Sequence, residues 1–125
     1  MTETKFIMHK GVRILFVNVA GSKDIDDNIA AYRKAQELAT QEPLKSVRLL
    51  ADVTDAHFTS EGVNVLKEFS KAITPHVIAS ANVGVTGLKK VIVLSLIKLS
   101  GRDLKLFNNK EDALEWLINQ EQDVV

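Results

Sequence analysis

The sequence predicts an α/β fold: a five-stranded mixed sheet with helices wound around it, in the order β-β-α-β-α-β-α-β-α. Three observations lead there. Short apolar runs of strand length alternate with longer segments whose apolar residues recur at helical spacing. Such alternation implies parallel strands joined by right-handed crossovers. The run Ile14-Leu15-Phe16-Val17 is continuously apolar, as in a strand covered on both faces. Lys10-Gly11 lies between the first two runs as a tight turn, which adds one antiparallel edge strand. With 125 residues the chain is long enough for one domain with a real core and too short for two, so residues 1–125 are expected to form a single domain.

The elements follow in order. Lys5 to His9 reads as the first strand and Arg13 to Val19 as the second, which Gly21-Ser22 ends. Ser22 or Asp24 caps a first helix, and Asp24, Asp26 and Asp27 suit its positive end. That helix runs to about Thr40, with Ile25, Ile29, Tyr32, Ala35 and Ala39 on one face, and Pro43 follows it. Val47 to Val53 is the third strand. The second helix spans Ser60 to Ile73, with Gly62, Leu66, Phe69 and Ile73 on its core face, where the glycine allows close approach to the sheet. After Pro75, Ser80 to Val85 is a fourth strand and Thr86-Gly87 a turn. Leu88 to Leu99 is a third helix with Gly101 as its stop, and Leu104 to Phe107 the fifth strand. Asn109 caps a last helix with Glu111 and Asp112 in its first turn; Ala113, Leu114 and Leu117 face the core and Trp116 flanks them. Residues from Asn119 to Val125 are expected to fray.

Composition narrows the function. Lys+Arg and Asp+Glu both number 16, so the net charge is zero and the basic footprint of a nucleic-acid binder is absent. Hydrophobic residues make up 46% and charged ones 26%, ordinary for a globular domain. There is no cysteine, so disulfide and thiolate chemistry are excluded. The start, Met1-Thr2-Glu3-Thr4-Lys5, lacks the apolar core of a signal peptide, and no apolar run reaches the ~20 residues of a membrane span. A cytoplasmic setting fits these features.

The segment from Leu49 to Val63 is the most informative. An apolar run stops at Asp52, a short polar loop follows, and Ser60-Glu61-Gly62 opens a helix. Strand carboxyl ends are the usual place for a site in an open α/β sheet, and a helix start favours negative charge. The element order and this loop resemble the STAS domain, the SpoIIAA-like fold of anti-sigma-factor antagonists. The family's loop reads roughly Asp-Leu-Ser, then Asp-Ser-Ser/Thr-Gly-Leu at a helix start. Asp52-Val53-Thr54 matches the first part, and Thr59-Ser60-Glu61-Gly62-Val63 the second with one residue deleted between them. Thr59 stands where the family has an acidic residue and Glu61 where it has a hydroxyl. The resemblance puts Ser60 at the phosphorylatable position, with Thr59 as the substitute. It implies a non-enzymatic interaction module in bacterial signalling whose partner is a protein, of the kinase or anti-sigma-factor kind. The binding loop is then Asp52, Thr54, Asp55, His57, Thr59, Ser60 and Gly62. A phosphate on Ser60 would add up to two negative charges near free helix N–H groups; the competing reading is a plain N-cap. Gly87-Leu88-Lys89-Lys90, the apolar helix and Gly101-Arg102-Asp103 also resemble a bacterial STAS-like subgroup of unassigned role.

Other residues carry weaker signals. Asp52, Asp55 and His57 at the strand end are the candidates for metal or acid–base chemistry, but no HExxH, CxxC or paired-His motif accompanies them. No metal, cofactor or catalytic residue is therefore expected. Gly87, Lys89 and Lys90 are the anion-site candidates, since lysines at a helix start oppose its dipole and ask for a reason; solvated lysines are the plainer reading. The third helix is apolar nearly all round. Leu88, Val91, Ile92, Leu96 and Leu99 are expected on the core face, and Val93, Leu94 and Ile97 on the outer one. Those three are the interface candidates for a homodimer or a partner protein. A small-ligand or lipid-binding domain of STAS/Sec14-like kind is the alternative function, and Lys89, Lys90 and Lys98 suit docking on a membrane surface.

Overall fold

The computed structural model describes residues 2–100 and 104–120, apart from the side chains of residues 88 and 96–100. Gly101, expected to stop the third helix, and residues 121–125, expected to fray, lie outside the described residues. β1 (Glu3–His9) and β2 (Val12–Asn18) form an antiparallel hairpin closed by Lys10 and Gly11, both at positive φ (50° and 79°). A two-residue turn of that hand matches the twist of the flanking strands. α1 (Ile25–Thr40), β3 (Val47–Asp52), α2 (Ser60–Ile73), a single 3₁₀ turn (Thr74–His76), β4 (Val77–Val83), α3 (Leu88–Ser100), β5 (Leu104–Phe107) and α4 (Lys110–Ile118) follow. The α/β class, the mixed sheet and the element order are those the sequence predicts.

The sheet order is β1-β2-β3-β4-β5, with β2 to β5 parallel. Because the order is progressive, right-handed crossovers place every connecting helix on one face. Accordingly α1 packs on α2 and α2 on α3, while α4 lies on the other face, over β3, β4 and β5. Residues alternate along β2 between the two cores. Leu15 and Val17 face the helices with Leu49, Ala51, Tyr32, Val65 and Phe69, and Ile14 and Phe16 join Leu50, Ala81, Leu114 and Leu117 beneath α4. The continuous apolar run in β2 is thus covered on both sides, as expected. Arg48, on β3, donates from Nε to Leu117 O (3.0 Å) and from a terminal nitrogen to Gln120 O (2.8 Å), satisfying carbonyls at the end of α4.

Several boundaries differ from expectation. β1 begins at Glu3 rather than Lys5, since the antiparallel ladder extends to Glu3↔Asn18. β4 begins at Val77, not Ser80, and ends at Val83, not Val85. A register shift between β3 and β4 at Val47/Arg48 puts Val77 in the core under α1 and α2 but Ala79 in the core under α4. The bulge breaks the period-2 pattern that marks a strand. At the other end Gly84, at φ +79°, turns the chain out of the sheet. The progressive order also lacks a reversal, so the strand carboxyl ends form no topological switch point of the kind that makes a ready crevice in other open sheets.

Candidate functional site

The β3–α2 loop leaves the sheet at Asp52 and is fastened from its first residue. Asp52 Oδ1 accepts from Thr54 N (3.1 Å) and Thr54 Oγ1 (2.7 Å), a carboxylate closing its own turn. Asp55 then takes φ +55°, with an exposed side chain, and its carbonyl accepts a long bond from Lys23 Nζ (3.5 Å). Backbone bonds tie the loop to the preceding β2–α1 loop: Gly21 N donates to Thr54 O (2.7 Å) and His57 N to Ser22 O (3.1 Å). The imidazole of His57 is exposed. Asp52 through its carboxylate, and Asp55 and His57 through their backbone groups, hold the loop's shape; among the described residues no group of three His, Asp or Glu side chains could hold a metal ion.

Thr59, not Ser60, caps α2. Its backbone is extended (φ −106°, ψ 176°), and its hydroxyl accepts from Gly62 N (3.2 Å). Ser60 is the first helical residue, exposed, with no hydrogen bond to its hydroxyl among the described residues. Two adjacent hydroxyls thus have separate duties. Gly62 is buried, but a Cβ there would meet Phe58 Cδ1 at 3.6 Å and Thr59 Oγ1 at 3.8 Å, ordinary contacts with its own loop. The expectation that Gly62 brings the helix close to the sheet is corrected on this point.

The β4–α3 loop is the neighbour of this rim. A Cβ at Gly84 would fall 2.0 Å from Thr54 Oγ1 and 2.6 Å from Thr54 Cα, so the two loops touch where only glycine fits. Lys89 donates from Nζ to Val53 O (2.9 Å). Its ammonium therefore bonds a carbonyl on the adjacent strand end. Lys90 is exposed, and Gly87 sits at φ +59° before the helix.

α3 is rotated relative to the sequence expectation. Lys89, Ile92 and Val93 face inward, lining a cavity of about 50 Å³ with Phe58, Leu66 and Phe69, among others. Val91 (63% exposed) and Leu94 (49%) face outward beside Lys90. Val91, expected inside, is outside, and Val93, expected outside, is half-buried at the cavity. A helix apolar all round gives no hydrophobic phase from which to read its rotation. Ile97, the third interface candidate, lies outside the described side chains.

Two residues of the rim escaped the sequence reading. Phe58 is half-buried, its ring edge-on to Tyr32 at 6.3 Å between centroids. Asn28, only 1% exposed, donates from Nδ2 to both Ser22 O (3.2 Å) and His57 O (2.9 Å). Its signal was present: three residues after Ile25 and four before Tyr32, it is a polar side chain on the apolar stripe of α1.

No protein-family model and no curated protein matches the sequence. Among solved structures, the fold resembles that of a DUF3478-family protein from Shewanella loihica PV-4, itself described as SpoIIAA-like. The two chains share 16% identity over 93% of each, with a TM-score of 0.75. It also resembles an anti-sigma factor antagonist from Mycobacterium paratuberculosis, at 18% identity over 95% of this chain and 96% of that one, with a TM-score of 0.57. The fold is SpoIIAA-like, as the loop and element order suggested. No helix among the described residues is long and apolar enough to cross a membrane.

Proposed function

We propose that this chain is a non-enzymatic binding module of bacterial signalling, which captures a protein partner on the rim where the β3–α2 loop meets α3. The observation that carries this reading is the exposure of Val91 and Leu94 on a helix flanking that loop. Isolated exposed apolar residues are unremarkable, but two on one helix face beside Lys90 make a mixed surface of the kind partners use, and Ser60 at the start of α2 is exposed as well. The likeness to an anti-sigma factor antagonist supports a protein partner of the anti-sigma-factor kind; a kinase partner and a cytoplasmic setting belong to the same proposal. A second copy of the chain is a further occupant of the same face, giving a homodimer. The uncommitted Ser60 hydroxyl makes phosphorylation the natural control, because a phosphate there would leave the Thr59 cap in place and change only the surface charge.

A second reading is favoured by the cavity under α3, whose walls are largely apolar: a small apolar ligand or lipid would occupy it. At about 50 Å³ it holds a few water-sized volumes, so any lipid would have to displace its walls.

The deciding experiment compares unmodified protein with Leu94→Glu and Ser60→Asp variants, each shown to be folded by circular dichroism. Cellular partners are captured on each, and the native protein is weighed intact. The expected result is a partner retained by the unmodified protein and lost from both variants. Identical partner sets for all three would overturn the rim reading. A small-molecule mass carried by the native protein would support the second reading instead, and sedimentation as a monomer at high concentration would remove the homodimer.

A further inference from the structure

We infer that Asn28 is the positioning residue of the binding loop: its side-chain amide, buried in α1, fixes the conformation in which the loop presents Thr59 and Ser60. This rests on the reading of that loop as the docking surface. Both acceptors of Nδ2 are main-chain carbonyls, Ser22 O at 3.2 Å and His57 O at 2.9 Å, so only the nitrogen side of the amide can face them and the orientation of the group is settled. Ser22 O has a second donor in His57 N (3.1 Å). The three groups close a small network that joins the β2–α1 loop, α1 and the β3–α2 loop. His57 is two residues before the Thr59 cap, so whatever holds the His57 carbonyl also sets where α2 begins.

The oxygen of the same amide argues that the network is kept for position rather than for packing. Asn28 Oδ1 is buried and has no hydrogen-bond partner among the described residues. An unpaired buried acceptor is costly, and an apolar side chain of similar size would avoid that cost. Leucine has the same branched skeleton, with bulkier methyl ends, and would suit the apolar stripe of α1 beside Tyr32 and Ala31. What it would lack is the N–H pair that reaches Ser22 and His57. The residue present at this point gives up packing quality and retains two donated bonds to loop carbonyls.

Amide hydrogen exchange on the full chain tests the inference without any partner, so it stands or falls separately from partner capture. The probes are the amides of Ala56, His57 and Gly62, bonded to Val53 O, Ser22 O and Thr59 Oγ1, against the strand amides of Leu15 and Leu50. Asn28→Asp keeps the shape but sets a carboxylate against two carbonyl oxygens, and Asn28→Leu keeps the branched skeleton, slightly enlarged, without the donors. In both, exchange at the three loop amides should accelerate about tenfold or more relative to the strand amides. Asn28→Ala gives the same comparison if the aspartate variant does not fold. Equal acceleration at loop and strand amides would mean that Asn28 contributes only general stability, and unchanged loop exchange in Asn28→Leu would mean that its amide holds nothing; either result overturns the inference.

Discussion

α2 and α3 are both crossover helices on one face of the same sheet, yet they treat their apolar residues in opposite ways. α2 is amphipathic and commits its apolar face fully: Val65, Phe69 and Ile73 are buried, and Phe69 also meets Tyr32 edge-on at 5.1 Å. Its start is capped by Thr59 and followed by Glu61, both suited to the positive end of a helix. α3 is the more apolar of the two, but none of its described side chains is buried. Its first turn carries Lys89 and Lys90 and no acidic residue. The difference teaches that hydrophobic content does not measure burial. α2 belongs to the core, whereas the described part of α3 rests on it and leaves Val91 and Leu94 exposed.

The sharpest way to break the comparison is truncation on each helix. Phe69→Ala should cost about 3–5 kcal/mol by cavity formation, whereas Leu94→Ala should fall within about 0.5 kcal/mol of the unmodified protein. Urea unfolding of the two variants checks this, and similar losses would mean that α3 is as much a part of the core as α2. Next comes the junction between the two loops. Gly84→Ala combines a positive φ with a contact against the backbone of Thr54, and should lose about 2–3 kcal/mol in the same assay. An unchanged midpoint would show that the β4–α3 loop can shift away from the β3 end.

At the start of α2 the comparison narrows to neighbouring residues. Thr59→Ala should cost about 1 kcal/mol for a lost cap, and Ser60→Ala less than about 0.5 kcal/mol. Gly62→Ala should be neutral or stabilising by up to about 1 kcal/mol, since the added methyl meets only van der Waals contacts and helix propensity improves. Thermal unfolding of the three variants orders them, and a larger loss at Ser60 than at Thr59 would reassign the cap.

The smallest effect lies on the opposite face. The ammonium of Lys10, hydrogen-bonded to Glu115 of α4, holds that carboxyl below the usual carboxylate range. A depressed acid stabilises the fold above its unfolded-state pKa and loses that contribution as pH falls through the folded value. The unmodified protein should therefore show a slight acid-side loss that Glu115→Gln lacks, read as the difference between their melting temperatures from neutral pH down to about pH 3, below the ordinary carboxylate range. The pair is solvent-exposed, so the difference should be at the limit of detection.

Much of the fold was legible because it rests on local periodicity. The double-sided apolar run of β2, the Lys10-Gly11 turn, and the caps at Asp24 and Asn109 all declare themselves within a few residues. What was hidden depends on residues distant in sequence. The bulge that shifts β4 is set by its pairing with β3. The choice between Thr59 and Ser60 as cap turns on one backbone conformation that either hydroxyl residue could adopt. Lys89 reads as a helix-start cation until the strand end that accepts its bond is in place. Asn28 was readable in principle, as a polar residue on a buried stripe, but its two acceptors become neighbours only after the loops fold together.

The progressive strand order has a consequence for how the chain is made. Each strand pairs with the one synthesised just before it, so the sheet can grow in step with translation and without waiting for a distant partner. The helix-covered face is closed along the way, as each crossover arrives before its next strand. The other face is not. Phe16, Leu50, Ala79, Ala81 and Val83 have no cover until α4, the last of the described elements, emerges and folds back across them. An intermediate in which β5 has paired but α4 has not yet docked would hold a finished sheet with one apolar side open to its surroundings, and that is the state in which this chain is most exposed to aggregation.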